Sequence, residues 1–173
     1  MESLSFYENQ FIKADSLISD GNIADGKELL EEILAQYPDF GKAHNHLGWI
    51  YYNKLSNHDR GIYHYKLAMK FEPKYPPPYI NYTYLLIDIG RYAEAKDHIN
   101  TTMQNLENFD YSTYHSELGR MAEYENEYTT AYNYYKLAKK NALNPNFIDN
   151  MNANMKRVKD KMSIFEKLKL KLN

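Results

Sequence analysis

The chain has 173 residues, of which 25% are charged, and a formal net charge of −2. This length is enough for one domain with a buried core, and the near-neutral charge gives no reason to expect a nucleic-acid partner. The sequence has no cysteine, which excludes disulfides, thiolate metal sites and a cysteine nucleophile. No apolar run approaches the length of a membrane span.

The two ends of the chain differ in charge. Residues 1–40 carry nine acidic and two basic side chains, a net charge of −7, whereas residues 156–173 carry seven basic and two acidic, a net charge of +5. The acidic start also lacks an apolar run before a small-residue cleavage site, so we expect a cytoplasmic protein without a secretory signal. The opposite charges leave open a self-assembling structural protein, in which the acidic first repeat of one copy meets the basic C-terminal helix of another.

Short polar turns divide the chain into helical segments of similar length. Their sequences are Asp20-Gly21-Asn22, Ser56-Asn57-His58-Asp59, Ile89-Gly90-Arg91 and Glu125-Asn126-Glu127. Apolar residues at helical spacing flank each turn, which predicts pairs of helices joined by these turns. Pro38, Pro73 and the prolines of 76–78 lie between one pair and the next, where a helix tolerates proline in its first turn.

A small residue recurs in the second helix of each predicted pair. These residues are Gly26, Gly61, Ala95 and Ala131, at intervals of 35, 34 and 36 residues. Two further positions keep the same register: a large residue at Leu30, Tyr65, Ile99 and Tyr135, and a second series at Ile33, Ala68, Thr102 and Ala138. Such a period is typical of stacked helix-turn-helix repeats, because the backbones must approach closely in every repeat.

At these positions the chain resembles the tetratricopeptide repeat family. The second repeat matches best, through Leu47, Gly48, Tyr51, Gly61, Tyr65, Ala68 and Pro73. The resemblance covers about residues 7–145 and implies an all-α fold, a right-handed superhelical array of four helix-turn-helix repeats. We expect a single domain over 1–173, with its repeats at about 7–40, 41–75, 76–109 and 110–145.

After Pro145 the repeat register stops. Apolar residues continue at helical spacing, at Phe147, Met151, Met155, Val158, Met162 and Phe165. They predict one amphipathic helix over 146–173 that caps the apolar face of the last repeat. Docking of this helix on a partner, or a membrane-surface contact through Lys167, Lys169 and Lys171, stays open as an alternative.

Beside the packing face of each first helix lies a stripe of polar and aromatic residues. In tetratricopeptide-like arrays this stripe lines the concave face, so the resemblance implies a groove that binds a peptide. The candidate groove residues are Asn45, Trp49, Tyr52, Asn53, Asn81, Tyr84, Arg120 and Tyr124. Aromatic rings and arginine bury large areas, and amides pair with an extended backbone. Trp49 packing only against a neighbouring helix is the alternative.

The partner of such a groove is not identified by the sequence. Family members that bind acidic chaperone tails use a clamp of basic and amide side chains, whereas the corresponding places of the first repeat hold Phe11 and Asp15. An acidic tail is therefore disfavoured. We predict a non-catalytic scaffold for a protein or peptide partner, without nucleic acid or a membrane span, and with homo-oligomerisation possible.

We find no convincing catalytic or cofactor motif. Residues 21–27 have the glycine and lysine spacing of a phosphate-binding loop, but Glu28 follows where serine or threonine would hold magnesium, and no strand precedes. His44 and His46 project about 200° apart on a helix, so they do not share one metal ion. Glu28, Glu31 and Glu32 fit a solvated helix face better than an acid–base pair. We therefore predict no enzyme activity, no metal and no cofactor.

Overall fold

A computed structural model describes residues 4–106 and 110–172, so the last residues of the third predicted repeat, 107–109, lie outside the described part. In the described ranges all regular secondary structure is α-helical, which confirms the predicted fold class. The chain forms two compact units, Met1–Arg91 and Tyr92–Asn173. None of the helices within those ranges has the length and apolar character needed to cross a bilayer.

Each unit contains five helices of the described chain. The first unit consists of α1 (Leu4–Ser19), α2 (Ile23–Gln36), α3 (Gly41–Asn53), α4 (His58–Phe71) and α5 (Pro77–Asp88). The second unit consists of α6 (Tyr92–Asn105), α7 (Tyr111–Tyr124), α8 (Tyr128–Asn141), α9 (Pro145–Lys161) and α10 (Ile164–Leu172). The pairs α1 with α2, α3 with α4, and α7 with α8 pack directly against each other.

The turn after the first helix of every predicted pair contains a residue with positive φ. These residues are Gly21 (88°), Ser56 (49°), Gly90 (76°) and Asn126 (62°). After α1, the Asn22 amide donates to the Leu17 carbonyl at 2.8 Å, as in a Schellman motif. The equivalent bonds join Asn57 to Tyr51, Arg91 to Leu86 and Glu127 to Ala122. The turn after α3 is one residue longer than the others and still closes in the same way.

The residues of the repeat register fill the cores of both units. The small residues at Gly26, Gly61, Ala95 and Ala131 are all buried, as are the large residues at Leu30, Tyr65, Ile99 and Tyr135. A Cβ atom on Gly48 would lie 2.6 Å from the Tyr65 ring, and one on Gly119 would lie 2.7 Å from the Tyr135 ring. These two glycines therefore allow a helix pair to close over an aromatic ring in each unit.

In the second unit, α9 covers the apolar face of the last helix pair. Met151 and Val158 of α9 are buried in one cluster with Ala131 and Tyr135 of α8. On α7, the Glu123 carboxylate accepts hydrogen bonds from two basic side chains of α9. They are Arg157 Nη2 at 2.7 Å and Lys161 Nζ at 2.9 Å. An apolar contact and an ionic contact together hold α9 in place.

The end of the chain differs from the single helix predicted over 146–173, because the structure has two helices, α9 and α10. The break follows from Ser163, whose hydroxyl accepts from the Glu166 amide at 3.3 Å while its own amide donates to the Glu166 carboxylate at 2.8 Å. This reciprocal capping box starts a new helix. Phe165, predicted on the buried face, is 80% exposed.

Candidate functional site

Helix α3 presents two adjacent faces with different roles. One face packs on α4: Gly48 meets the Tyr65 ring, and His44 Nδ1 lies 3.0 Å from His64 Nδ1. The neighbouring face carries Asn45 and Trp49. Glycine at position 48 allows the close packing of the first face, which fixes the direction of the second.

A cavity of about 580 Å³ lies along this second face of α3, within the first unit. Three of the predicted groove residues, Asn45, Trp49 and Asn81, line it. The remaining lining residues are Asp15, Ile18, Ser19, Gly21, Ile23, His46 and Lys54. Helices α1, α3 and α5 thus contribute to one site, whose volume is in the usual range of ligand pockets, about 300 to 1,000 Å³.

Trp49 forms the largest aromatic surface of the cavity. Its ring is partly buried and packs against the core of α1, α2 and α3. The Lys54 ammonium, just beyond the end of α3, lies 5.1 Å from the ring centroid. The ring thus packs on the core and also lines the cavity, so packing does not remove it from the candidate site.

An amide network fixes the polar side of the cavity. Asn81 Nδ2 donates to Asn45 Oδ1 at 3.1 Å, and Asn45 is only 4% exposed. Burial raises the pKa of Tyr75, and the negative charges of Glu72 and Asp15 raise it further. The Tyr75 hydroxyl also interacts with the same Asn45 side chain, which lowers the pKa of Tyr75 by less, so this hydroxyl stays protonated. Asn45 is therefore held in place by its burial and by the bond from Asn81.

The wall opposite is formed by α1 and carries negative charge. The side chain of Asp15 is 55% exposed, and its Oδ1 lies 2.9 Å from His46 Nε2. The other ring nitrogen of His46, Nδ1, lies 3.1 Å from the Lys42 carbonyl oxygen. These contacts orient His46 along the cavity wall between α1 and α3.

The histidines 44 and 46 contact different helices, as their spacing predicts. His44 Nε2 lies 2.9 Å from the Pro38 carbonyl, so this nitrogen donates and Nδ1 is left to accept from His64. Burial lowers the pKa of His44 and also that of His64, the latter to about 4. His44 and His64 thus make a neutral contact between α3 and α4, and neither of them lines the cavity.

Three other predicted groove residues of the first unit do not line the cavity. The Tyr52 hydroxyl donates to the Asp88 carboxylate. Asn53 Nδ2 donates to the Trp49 carbonyl at 3.1 Å, within the last turn of α3. Tyr84 is partly buried on α5. Tyr52 and Asn53 thus make contacts within the first unit, next to the cavity.

The two predicted residues of the second unit make contacts within that unit. Arg120 Nε lies 2.8 Å from Glu117 Oε2, and the Glu117 residue is 9% exposed. The Tyr124 ring stacks on Tyr92, with centroids 5.9 Å apart. On α7 the stripe therefore binds neighbouring side chains of its own unit.

Sequence reasoning did not select the other seven lining residues, among them His46 and Lys54. His46 was weighed only as a metal ligand, although its spacing from Trp49 places both on neighbouring parts of one helix surface. Lys54 lies after the end of α3, where helical periodicity no longer predicts direction. Asp15 was recognisable as the first-repeat counterpart of a groove position.

Small residues in a register of about 35 residues, turns closed at positive φ, and a cavity on the first-helix face define a helix-turn-helix repeat protein. By sequence, no family model and no curated protein matches this chain. Similarity is found among solved structures. A tetratricopeptide repeat protein from Parabacteroides merdae superposes with a TM-score of 0.66 at 15% identity, covering 88% of this chain and 57% of that protein.

Two other solved structures are similar over most of the chain. PilW, described as a widely conserved type IV pilus biogenesis factor, gives a TM-score of 0.66 at 17% identity, covering 90% of this chain and 76% of PilW. A mutant of MamA gives 0.61 at 19% identity, covering 82% of this chain and 81% of MamA. The chain therefore has the tetratricopeptide repeat fold, which confirms the resemblance predicted from its sequence.

Proposed function

We propose that this protein is a non-catalytic interaction scaffold that binds an extended segment of a protein partner in the cavity along α3. The observation that carries the proposal is that Asn45, Trp49 and Asn81, which the sequence selects as groove residues, line one cavity of about 580 Å³. A conformationally fixed aromatic ring next to amide groups suits a peptide, because the ring buries apolar side chains and the amides pair with the backbone.

The two amides have different parts in this proposal. Asn45 is nearly fully buried and accepts a hydrogen bond from Asn81, so it positions Asn81. Asn81 is less buried and presents the remaining polar atoms of its amide to a ligand. Trp49 is the anchor, because a partly exposed indole gains the most area when a partner covers it.

The test is selection from a displayed library of random twelve-residue peptides on the intact protein. Binders are then measured on the Trp49→Ala variant and on a matched control, Tyr63→Ala, which removes an exposed ring on α4 outside the cavity lining. We expect Trp49→Ala to weaken binding about tenfold or more. We expect Tyr63→Ala to leave it unchanged.

Thermal unfolding of each variant accompanies the binding measurement, because Trp49 also packs on the core. A folded Trp49→Ala variant that binds the selected peptides as well as the parent contradicts the proposal. Equal losses of affinity in Trp49→Ala and Tyr63→Ala contradict it as well, because binding would then not depend on the cavity.

A second candidate function is self-assembly through the basic C-terminal end. Ile164, Phe165 and Leu168 of α10 are all more than half exposed. They lie next to lysines, while residues 1–40 carry a net charge of −7. In this candidate the lysines pair with the acidic first repeat of another copy while the exposed apolar side chains are covered in the contact, and such a head-to-tail contact grows into rings or filaments.

Sedimentation from about 50 mM to about 500 mM salt tests this candidate, because salt screens the contact between the acidic and basic ends. Self-assembly predicts that the sedimentation coefficient falls as salt rises, and that Phe165→Ser abolishes the larger species. A monomer at every salt concentration contradicts it.

A further inference from the structure

We propose that the cavity along α3 recognises a cationic side chain, arginine or lysine, on the segment that it binds. The inference deepens the proposed function and rests on it, because it assigns the chemistry of the ligand at the same site. It follows from three features of the cavity: an internal cation that already occupies the Trp49 ring, a carboxylate on the facing wall, and the charge of the helices that carry this wall.

The first feature is Lys54, which acts as an internal substitute for the ligand's cation. Its ammonium lies 5.1 Å from the centroid of the Trp49 ring, at the distance of a cation–π contact. The Lys54 side chain is exposed and follows the last residue of α3, so it can leave the ring without disturbing the helix. An incoming guanidinium or ammonium can then take its place on the ring.

The second feature is Asp15, which provides the counter-charge. Its carboxylate lines the same cavity and is 55% exposed, while one oxygen contacts His46 at 2.9 Å. Asp15 also helps to raise the pKa of Tyr75, so its negative charge acts on other groups of the site. A ligand cation on the indole can pair with this carboxylate once Lys54 has moved away.

The third feature is the charge of the helices behind this wall. Helix α1, the turn after it and the first residue of α2 contribute five lining residues, namely Asp15, Ile18, Ser19, Gly21 and Ile23. Residues 1–40 carry a net charge of −7. A concave surface next to a region of one charge sign attracts ligands of the opposite sign. Among the other polar lining groups, the Asn81 amide is neutral and its carbonyl oxygen offers an acceptor to a guanidinium.

Trp49 is the only tryptophan of the chain, so its fluorescence reports directly from the site. The probe is N-acetylarginine amide, which carries one cation and no charged termini. N-acetylcitrulline amide is the matched uncharged control, and N-acetylglutamate amide is the anionic control. We expect a saturable fluorescence change with the arginine probe in the millimolar range and none with the other two.

Two pairs of variants test the roles of the charges. Lys54→Met removes the internal cation and should tighten binding of the arginine probe about two- to fivefold. Its control is Lys70→Met, because Lys70 makes the same kind of contact on Phe71, 5.2 Å from that ring, outside the cavity lining. Asp15→Asn should weaken binding about two- to fivefold, whereas the exposed Asp20→Asn should not.

Several results would overturn the inference: no saturable response to the arginine probe, an equal response to the citrulline probe, or tighter binding of the glutamate probe. Weaker binding of the arginine probe after Lys54→Met would contradict the role of Lys54 as an internal substitute. Selected peptides that depend on Trp49 but lack arginine and lysine also refute the inference, while the proposed function stands. If no selected peptide depends on Trp49, the proposed function itself fails.

Discussion

The two units pack a helix pair in the same way, with glycine against a tyrosine ring, but the neighbouring helix surface makes different contacts in each. In each unit a glycine of the first helix sits against a buried tyrosine ring of the second, Gly48 on Tyr65 and Gly119 on Tyr135. In the first unit the stripe next to this glycine borders an open cavity with Trp49. In the second unit the corresponding stripe contributes Glu123, which binds basic residues of α9. The repeat register therefore determines packing, while the adjacent stripe is free to take a different role in each unit.

The largest expected effect comes from filling the glycine positions. Gly48→Leu and Gly119→Leu should each destabilise their unit by about 3 kcal/mol, because even a Cβ atom would lie under 3 Å from a buried ring. Urea unfolding followed by circular dichroism measures the loss. Asn53→Leu adds the same side chain at an exposed position of α3 and should change stability by less than about 0.5 kcal/mol. If only one glycine variant is destabilised, the packing of glycine against a tyrosine ring does not have the same importance in both units.

The next effect concerns the ionic contact of the second unit. The hydrogen bond from Arg157, assisted by Lys161, lowers the pKa of Glu123 to about 2. Glu123→Gln should lower the free energy of unfolding by about 1 to 2 kcal/mol at neutral pH. The expected loss is no larger because the side chains of Arg157 and Lys161 are about half exposed, so solvent screens the contact. The contribution of Glu123 is present above its unfolded pKa, about 4.5, and is lost as pH falls towards 2.

Hydrogen exchange of α9 amides measures the effect of Glu123→Gln locally, and Glu127→Gln is the control at a nearby exposed carboxylate. Faster exchange in α9 for the first variant and unchanged exchange for the second is the expected result. Equal protection of α9 in both variants would show that the apolar contacts alone hold this helix.

The stability of the first unit should depend on pH in a different range from that of the second unit. Burial, followed by the neighbouring His44, lowers the pKa of His64 from 6.5 to about 4. In this pH range the unfolded chain binds a proton at His64 and the folded chain does not. Stability therefore falls as pH decreases from about 6.5 to about 4. His64→Phe should reduce the loss of stability between about pH 6.5 and about pH 4 by about 1 kcal/mol. This figure allows for the partial exposure of His64. The exposed His58→Phe serves as control and should keep the slope; an unchanged slope in His64→Phe would contradict the assignment.

The smallest effect compares the two non-glycine residues with positive φ. Ser56 has φ of 49° and Asn126 has φ of 62°. Ser56→Gly should relieve about 1 kcal/mol of backbone strain in the folded state. The greater conformational freedom of glycine in the unfolded chain offsets about half of this, so the net gain in stability is about 0.5 kcal/mol. Asn126→Gly should change stability less, because asparagine tolerates this conformation. Thermal unfolding of both variants checks the order, and a larger gain for Asn126→Gly would reverse it.

The fold was predictable because its information is local and periodic. Residues such as Gly61, Tyr65 and Ala68 recur in register, and each has the same buried role in the structure. The break between α9 and α10 was not foreseen, since the apolar spacing continues through Met162 to Phe165. The capping box of Ser163 and Glu166 outweighs that spacing and starts a new helix.

The candidate site was predictable only in part. Helical periodicity selected Asn45, Trp49 and Asn81, because direction along a helix follows from the sequence. It could not foresee that Tyr52 would bond to Asp88, or that Arg120 would pair with Glu117, since such contacts depend on rotamers and on neighbouring side chains. Lys54 depends on the path of a turn, which periodicity does not describe.

The turns at positive φ also bear on how the chain folds. Each turn is closed by a backbone hydrogen bond between residues only five or six positions apart, such as Asn22 with Leu17 and Asn57 with Tyr51. Loops of this size close within about 10 to 100 ns, far faster than contacts between distant segments. Each helical hairpin can therefore nucleate on its own, and folding can begin in whichever pair forms first and spread to its neighbours.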